Sequence, residues 1–292
     1  MKGSAKRSSA VVAALFAVSM LAAGGASAAA SRGAAPTYLA LGTSLAVGFQ
    51  PGRGETPKGY VSDLWRSYRA RIPDLGLHNV GCVGETTRSM LSGRNPDCDY
   101  AEGSQVEAAV AFLQAHQGQV VFITIDVGAN DLLAACLRPT WRIDRLCAAR
   151  VLPRISARLT RILDAISAAA PGVPIVGMTY YDPLLGLWGL VPGGRALARA
   201  DQRVWDDLNT TLADAYTGAG ATVADVAATF DVGNFDETVT VPGRGELPVN
   251  VANACRWTWF CSPRFGGDPH ANAAGYRQIA RTFEVELDTL LP

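Results

Sequence analysis

Five continuous apolar runs, separated by segments of helical period, constrain this chain more than any other feature. They are Tyr38–Leu41, Leu77–Cys82, Val120–Val127, Val173–Tyr180 and Ala221–Val226. A strand with one wet face alternates polar and apolar residues, whereas a strand covered on both faces needs no polar side. Between the runs the apolar period changes. Ile155, Leu159, Ile162, Leu163 and Ile166 share one helix face, with Arg154, Arg158 and Arg161 on another; Val204, Leu208 and Leu212 repeat the spacing. Tyr276, Ile279, Phe283, Leu287 and Leu290 mark a last helix. This alternation predicts βαβ units in the α/β class: a three-layer α/β/α sandwich around a five-stranded parallel sheet. The connections Ala134–Arg150 and Phe230–Gly267 are longer than a βα unit needs, and each holds a cysteine pair. We expect both as ordered loops at the mouth of a crevice. Leu184–Val191 is apolar without either period and reads as a buried turn or as the wall of an acyl pocket.

The first residues have the pattern of an export signal. Lys2, Lys6 and Arg7 precede an apolar run from Ala10 to Ala23 and the small residues Ala26-Ser27-Ala28. The expected division is a signal peptide over 1–28, a flexible lead-in over 29–36 and one domain over 37–292, hence a secreted protein. No later run approaches the roughly 20 apolar residues of a membrane span, so the mature chain is expected to have no integral membrane segment. Removing 1–28 takes three of 26 basic residues and none of the 26 acidic ones, leaving a net charge of −3. Such a balance, without a basic cluster, argues against nucleic acid as a partner. A monomer is expected.

Six cysteines in an exported chain read as disulfides. Fifteen pairings are formally open, and the simplest joins neighbours: Cys82–Cys98, Cys136–Cys147 and Cys255–Cys261. The alternative, a metal site, lacks a C-x-x-C pair or a histidine cluster of suitable spacing, so no metal is expected.

Four separated stretches place a polar residue or glycine after a strand-like run or before the last helix. They are YLALGTSLAVG with Ser44, HNVGCVGETT with Gly84, VVFITIDVGAND with Asn130, and GDPHANAAGY with His270. The carboxyl ends of parallel strands open onto one crevice, so these residues are expected to converge. Each has an ordinary structural alternative. Ser44 could cap a following helix, Gly84 could serve a turn, and Asn130-Asp131 could cap the next helix. Of the three histidines, His78 at a strand start and His116 at a helix end read as structural, which leaves His270 as the available base.

Taken together, these stretches resemble the SGNH (GDSL-type) hydrolases, named for a serine, a glycine, an asparagine and a histidine in that chain order. Leu41-Gly42-Thr43-Ser44-Leu45 resembles the serine motif and Asn79 to Thr86 the glycine motif. Gly128-Ala129-Asn130-Asp131 is a complete G-x-N-D, and Asp268-Pro269-His270 with Gly275-Tyr276 resembles the histidine motif. The cysteine layout and CRWTWFC look like secreted actinobacterial-type members. The resemblance implies a flavodoxin-like sheet and carboxylic-ester hydrolysis without a cofactor. Ser44 would be the nucleophile, His270 the general base and Asp268 its orienting acid; Ser44, Gly84 and Asn130 would form the oxyanion hole. The G-x-S-x-G elbow of the other common lipase fold is absent.

Two positions depart from the family pattern. Thr43 stands where Asp usually precedes the serine, and Gly267 stands where the acid is more often found, three residues before the histidine. A main-chain carbonyl at Gly267 is therefore the rival to Asp268. The substrate is read as a lipid or small ester, with Leu187, Trp188 and Trp257 as substrate-binding residues. An acetyl esterase acting on carbohydrate is the second reading. A non-catalytic binding protein is the third, although serine and histidine are both retained. No phosphate-binding glycine loop follows the first strand, which disfavours a nucleotide or flavin protein.

Overall fold

The structure, a computed structural model, describes residues 35–291; the expected signal peptide and most of the lead-in lie outside them. The five runs form one sheet: β1 (Thr37–Leu41), β2 (Gly76–Asn79), β3 (Val120–Ile125), β4 (Ile175–Met178) and β5 (Thr222–Ala224). The order is β2-β1-β3-β4-β5 and every pairing is parallel. This is the flavodoxin-like α/β/α arrangement. The chain moves outward one way from β1 to β2, then the other way from β3, so the order reverses between β1 and β3. In open α/β sheets that reversal opens a crevice at the carboxyl ends of the two strands.

Nine α-helices accompany the sheet among the described residues: α1 (Tyr60–Tyr68), α2 (Thr87–Ser92), α3 (Gln105–Ala115), α4 (Ala129–Cys136), α5 (Arg145–Ala169), α6 (Gly194–Gly218), α7 (Val226–Thr229), α8 (Val249–Trp257) and α9 (Ala273–Leu290). They pack as two groups, α2 to α6 around α5, and α1 with α7 and α8 around α9. The apolar face expected of α5 is buried through Ile155, Leu159, Ile162, Leu163 and Ile166. The three central strands are therefore dry on both faces while the edge strands β2 and β5 are only part-buried, and Tyr38, Leu39, Ala40 and Leu41 of β1 are fully buried. Tyr38 stacks across strands on Phe122 with ring centroids 4.4 Å apart.

Four of the five strands are shorter than their apolar runs. β2 stops at Asn79, whose side chain donates to the Ala46 carbonyl and accepts from the Gly81 N–H, turning the chain away. β5 stops at Ala224 because Asp225 caps α7 by accepting the Ala228 N–H. The two expected long loops are largely regular. Asp144 caps α5 by accepting from the Cys147 N–H, which confines the first connection to 137–144. The second holds an antiparallel hairpin, β6 (Thr238–Val241) with β7 (Gly245–Pro248), and then α8. Leu184–Val191 is a 3₁₀ turn, Pro183–Gly189, started by Asp182, which accepts the Leu184 N–H. The disulfides join neighbours: Cys82–Cys98, Cys136–Cys147 and Cys255–Cys261.

Candidate active site

Ser44 sits on a tight turn at the end of β1, beside the reversal in strand order. No helix follows it until Tyr60; instead the N–H of Ala46 and of Val47 donate to the Thr43 carbonyl, and the Phe49 N–H closes on Ser44 O at 2.9 Å. Buried side chains from other elements pin this turn. Gln105 of α3 grips Gly42 at both ends, accepting its N–H at 2.8 Å and donating to its carbonyl at 3.1 Å. Asp126, just past β3, accepts from the Thr43 hydroxyl at 2.6 Å and the Thr43 N–H at 3.1 Å. A side chain at Gly42 would have its Cβ 2.2 Å from Asp126 Oδ1, so only glycine admits the carboxylate here.

His270 reaches the serine from the loop before α9. Its Nε2 lies 3.0 Å from Ser44 Oγ, and its Nδ1 lies 2.9 Å from Asp268 Oδ1. A carboxylate only accepts, so Nδ1 carries the proton and Nε2 presents its lone pair to the Ser44 hydroxyl. The same Oδ1 accepts the His270 N–H at 3.0 Å. Asp268, not the Gly267 carbonyl, thus occupies Nδ1. The loop is strapped down by the Trp259 N–H on the His270 carbonyl and the Tyr181 hydroxyl on the Pro269 carbonyl, each 2.9 Å. The Phe49 ring covers the imidazole at 4.4 Å.

The third edge of the site is the Gly84–Thr87 loop, fastened from the start of α4. Asn130 Nδ2 donates to the Glu85 carbonyl at 2.9 Å, and its second N–H has no partner among the described residues. Asp131 does not cap its own helix. Its two oxygens accept the Thr87 N–H and the Thr87 hydroxyl, each at 2.7 Å. Burial raises the Asp131 pKa first; the Thr87 bonds oppose that. Both polar residues of G-x-N-D therefore position the glycine loop. Gly84 itself has φ +79°, a left-handed backbone that favours glycine. Glu85 is buried among the hydroxyls of Ser89 and Tyr100, and burial raises its pKa.

Ser44, Asn130 and His270 share a cavity of about 50 Å³, walled by Leu133, Tyr180, Tyr181, Pro183 and Trp205. Gly84 is not among its walls. Leu187, Trp188 and Trp257, expected at the substrate, do not line it either. Leu187 is buried in the core. Trp188 stacks on Phe235 at 5.7 Å, under the guanidinium groups of Arg195 and Arg199. Trp257 packs edge-on to Phe230 at 4.9 Å. The wall residues Trp205 and Tyr181 were not anticipated. Trp205 belongs to the Val204–Leu212 helix, and no periodic pattern separates a pocket wall from core. His78 and His116 sandwich Phe112 at 3.8 and 4.0 Å, away from the cavity. The His78 pKa is lowered first by burial and then by its neighbour His116.

A parallel five-stranded sheet with serine, imidazole and carboxylate in series at its strand-order reversal is the SGNH hydrolase fold. The profile of the GDSL-like lipase/acylhydrolase family matches residues 40–278, and the chain belongs to that family. It is, on that membership, a carboxylic ester hydrolase. No curated protein matches the chain by sequence. Among solved structures, it is similar to an extracellular lipase from Streptomyces rimosus: 19% identity over 86% of this chain and 99% of that one, with a TM-score of 0.55. A lipase from a goat rumen metagenome is 15% identical over 86% and 96% of the two chains, with a TM-score of 0.53. A lipase/acylhydrolase from Enterococcus faecalis is 16% identical over 88% and 97%, with a TM-score of 0.50. At these identities the likeness is one of fold.

Proposed function

We propose that the protein is an exported serine esterase that hydrolyses carboxylic esters through an acyl-enzyme on Ser44. The observation carrying this reading is the unbroken series Ser44 Oγ, His270 Nε2, His270 Nδ1 and Asp268 Oδ1, with 3.0 and 2.9 Å contacts. Ser44 Oγ attacks the ester carbonyl carbon while its proton passes to Nε2. The tetrahedral oxyanion takes hydrogen bonds from the Ser44 and Gly84 N–H groups and the second Asn130 amide N–H. Collapse breaks the bond to the alcohol oxygen, which receives the proton from Nε2 and departs. Water, losing its proton to Nε2, then attacks the acyl carbon and releases the acid, and Ser44 recovers its proton. Asp268 holds the tautomer and stabilises the transient imidazolium. Three disulfides support an oxidising destination for the chain.

The cavity favours a short acyl group. A volume of about 50 Å³ holds only a few waters, roughly an acyl chain of two to four carbons, against the several hundred cubic ångströms of an ordinary ligand pocket. This supports a small-acyl esterase, including one acting on acetylated carbohydrate, over an enzyme for long lipid chains. A fluorophosphonate probe is expected to label wild type at Ser44 and not Ser44→Ala, whose kcat falls by about 10⁴-fold or more. Labelling elsewhere rejects the mechanism. Across p-nitrophenyl esters, kcat/KM is expected to fall at least tenfold from butyrate to laurate; the opposite order rejects the short-acyl reading.

A further inference from the structure

Asp126 is a fully buried carboxyl group that the mechanism above leaves unused, yet it lies directly beneath the nucleophile's neighbour. Oδ2 accepts from the Thr43 N–H and the Thr43 hydroxyl, and the Tyr180 hydroxyl stands 3.4 Å away; Oδ1 accepts from the Tyr60 hydroxyl at 2.8 Å. An ionised carboxylate offers about four acceptor sites, and donors from the turn after β1, from α1 and from just past β4 converge on this one. Charge-assisted bonds of this kind are about twice as strong as neutral ones. A buried carboxyl group placed for packing alone would be unfavourable, because burying it disfavours the charge.

We infer that Asp126 is the positioning residue of the nucleophile, holding Ser44 Oγ in line with His270 by clamping both donors of Thr43. The inference rests on Ser44 being the nucleophile. Thr43 is the residue immediately before Ser44, so one carboxylate fixes the peptide plane from which the nucleophile projects. The Gln105 clamp on Gly42 fixes the preceding plane. Gly42 has no side chain to intervene, so the carboxylate packs against the turn directly. Loss of either Thr43 bond lets the turn rock, and errors of about 1 Å in a reacting group lower rates by roughly 10²-fold.

Burial raises the Asp126 pKa to about 7, opposed by the bonds from Thr43, Tyr60 and Tyr180. The titratable groups facing it are Tyr38 of β1, Tyr60 of α1, Tyr180 and Tyr181 after β4, Tyr216 of α6 and Tyr276 of α9. All are pushed up, first by burial, and stay neutral at that pH. Protonation of Asp126 removes the charge that strengthens both Thr43 bonds and so weakens the clamp. An ionisation of Asp126 should therefore shape the rate near neutrality.

The test measures the second-order rate of fluorophosphonate labelling, with kcat and KM for p-nitrophenyl acetate, in Thr43→Val, Thr43→Ser, Asp126→Asn and the double variant Thr43→Val/Asp126→Asn. We expect labelling and kcat to fall ten- to hundredfold in Thr43→Val and Asp126→Asn with KM within threefold of wild type. Thr43→Ser, which keeps the hydroxyl, recovers at least half the rate. The double variant is no slower than the worse single one, since the hydroxyl bond lost in Thr43→Val is one that already depends on the Asp126 carboxylate. The ionisation assigned to Asp126 disappears from the Asp126→Asn profile. If Asp126→Asn does not fold, the Thr43→Val and Thr43→Ser pair decides. Wild-type rates in folded variants, or losses that multiply in the double, overturn the inference while leaving Ser44 as nucleophile. Absence of Ser44 labelling in wild type overturns the proposed mechanism instead.

Discussion

The two halves of the site are built differently. Ser44 is almost fully buried, and the residues before it are gripped by buried side chains from α3 and from the end of β3. His270 is partly exposed, and its loop is held mainly through backbone atoms, beside the Cys255–Cys261 disulfide. Ser44 is thus located by the core and His270 by a strap. A core clamp fails when one side chain changes. A strap tolerates most side chains and fails when its anchors are cut.

The largest expected effect separates Asp268 from the rest of the strap. Asp268→Asn should lower kcat by about 10⁴-fold with the melting temperature little changed, because the amide can present a donor to Nδ1 and select the wrong tautomer. A loss under tenfold would transfer the orienting role to the backbone. Next in size is a pH dependence confined to the core half. Asp126 has a folded pKa of about 7, above the unfolded value of 3.8. Between those values the unfolded chain releases its proton while the folded carboxyl retains it, so stability falls as pH rises through that window. Above it the penalty is constant, up to about 4 kcal/mol. Urea unfolding from pH 4 to 7.5 should show this decline in wild type and a flatter line in Asp126→Asn. Parallel lines would place the group's titration elsewhere.

The smallest effect tests the strap. Replacing Cys255 and Cys261 by Ser removes a cross-link spanning six positions, worth about 2 kcal/mol in the chain-entropy account. Hydrogen exchange should quicken over 256–272 and stay unchanged over 38–48. Equal loosening of both segments would erase the contrast between clamp and strap.

Much of this was legible in the chain. The five runs announced the strands, of which the three central ones are buried on both faces; Ser44 and Asn130 were findable because residues after parallel strands meet in one crevice, and His270 by its motif before the last helix. Asp126 was hidden at the end of an apolar run, where no period marks it. Its partner Thr43 lies 83 positions away, and Gln105 lies 63 from Gly42. The departure at Thr43 also changes meaning: the carboxyl group missing from that position stands beneath it, on Asp126. Leu187, Trp188 and Trp257 do not line the cavity around Ser44; apolar and aromatic character marks pockets and cores alike. Their partners include Phe235, beside a hairpin that no strand signal had announced.

The sequence by itself determined the parallel sheet, the family and the order of the site's motifs, because these follow from local period and from residues at strand ends. Only the tertiary structure decided which acid faces His270, how small the cavity is and what steadies the Ser44 turn. Those depend on side chains brought together across the sheet, and contacts between distant segments leave no periodic trace along the chain.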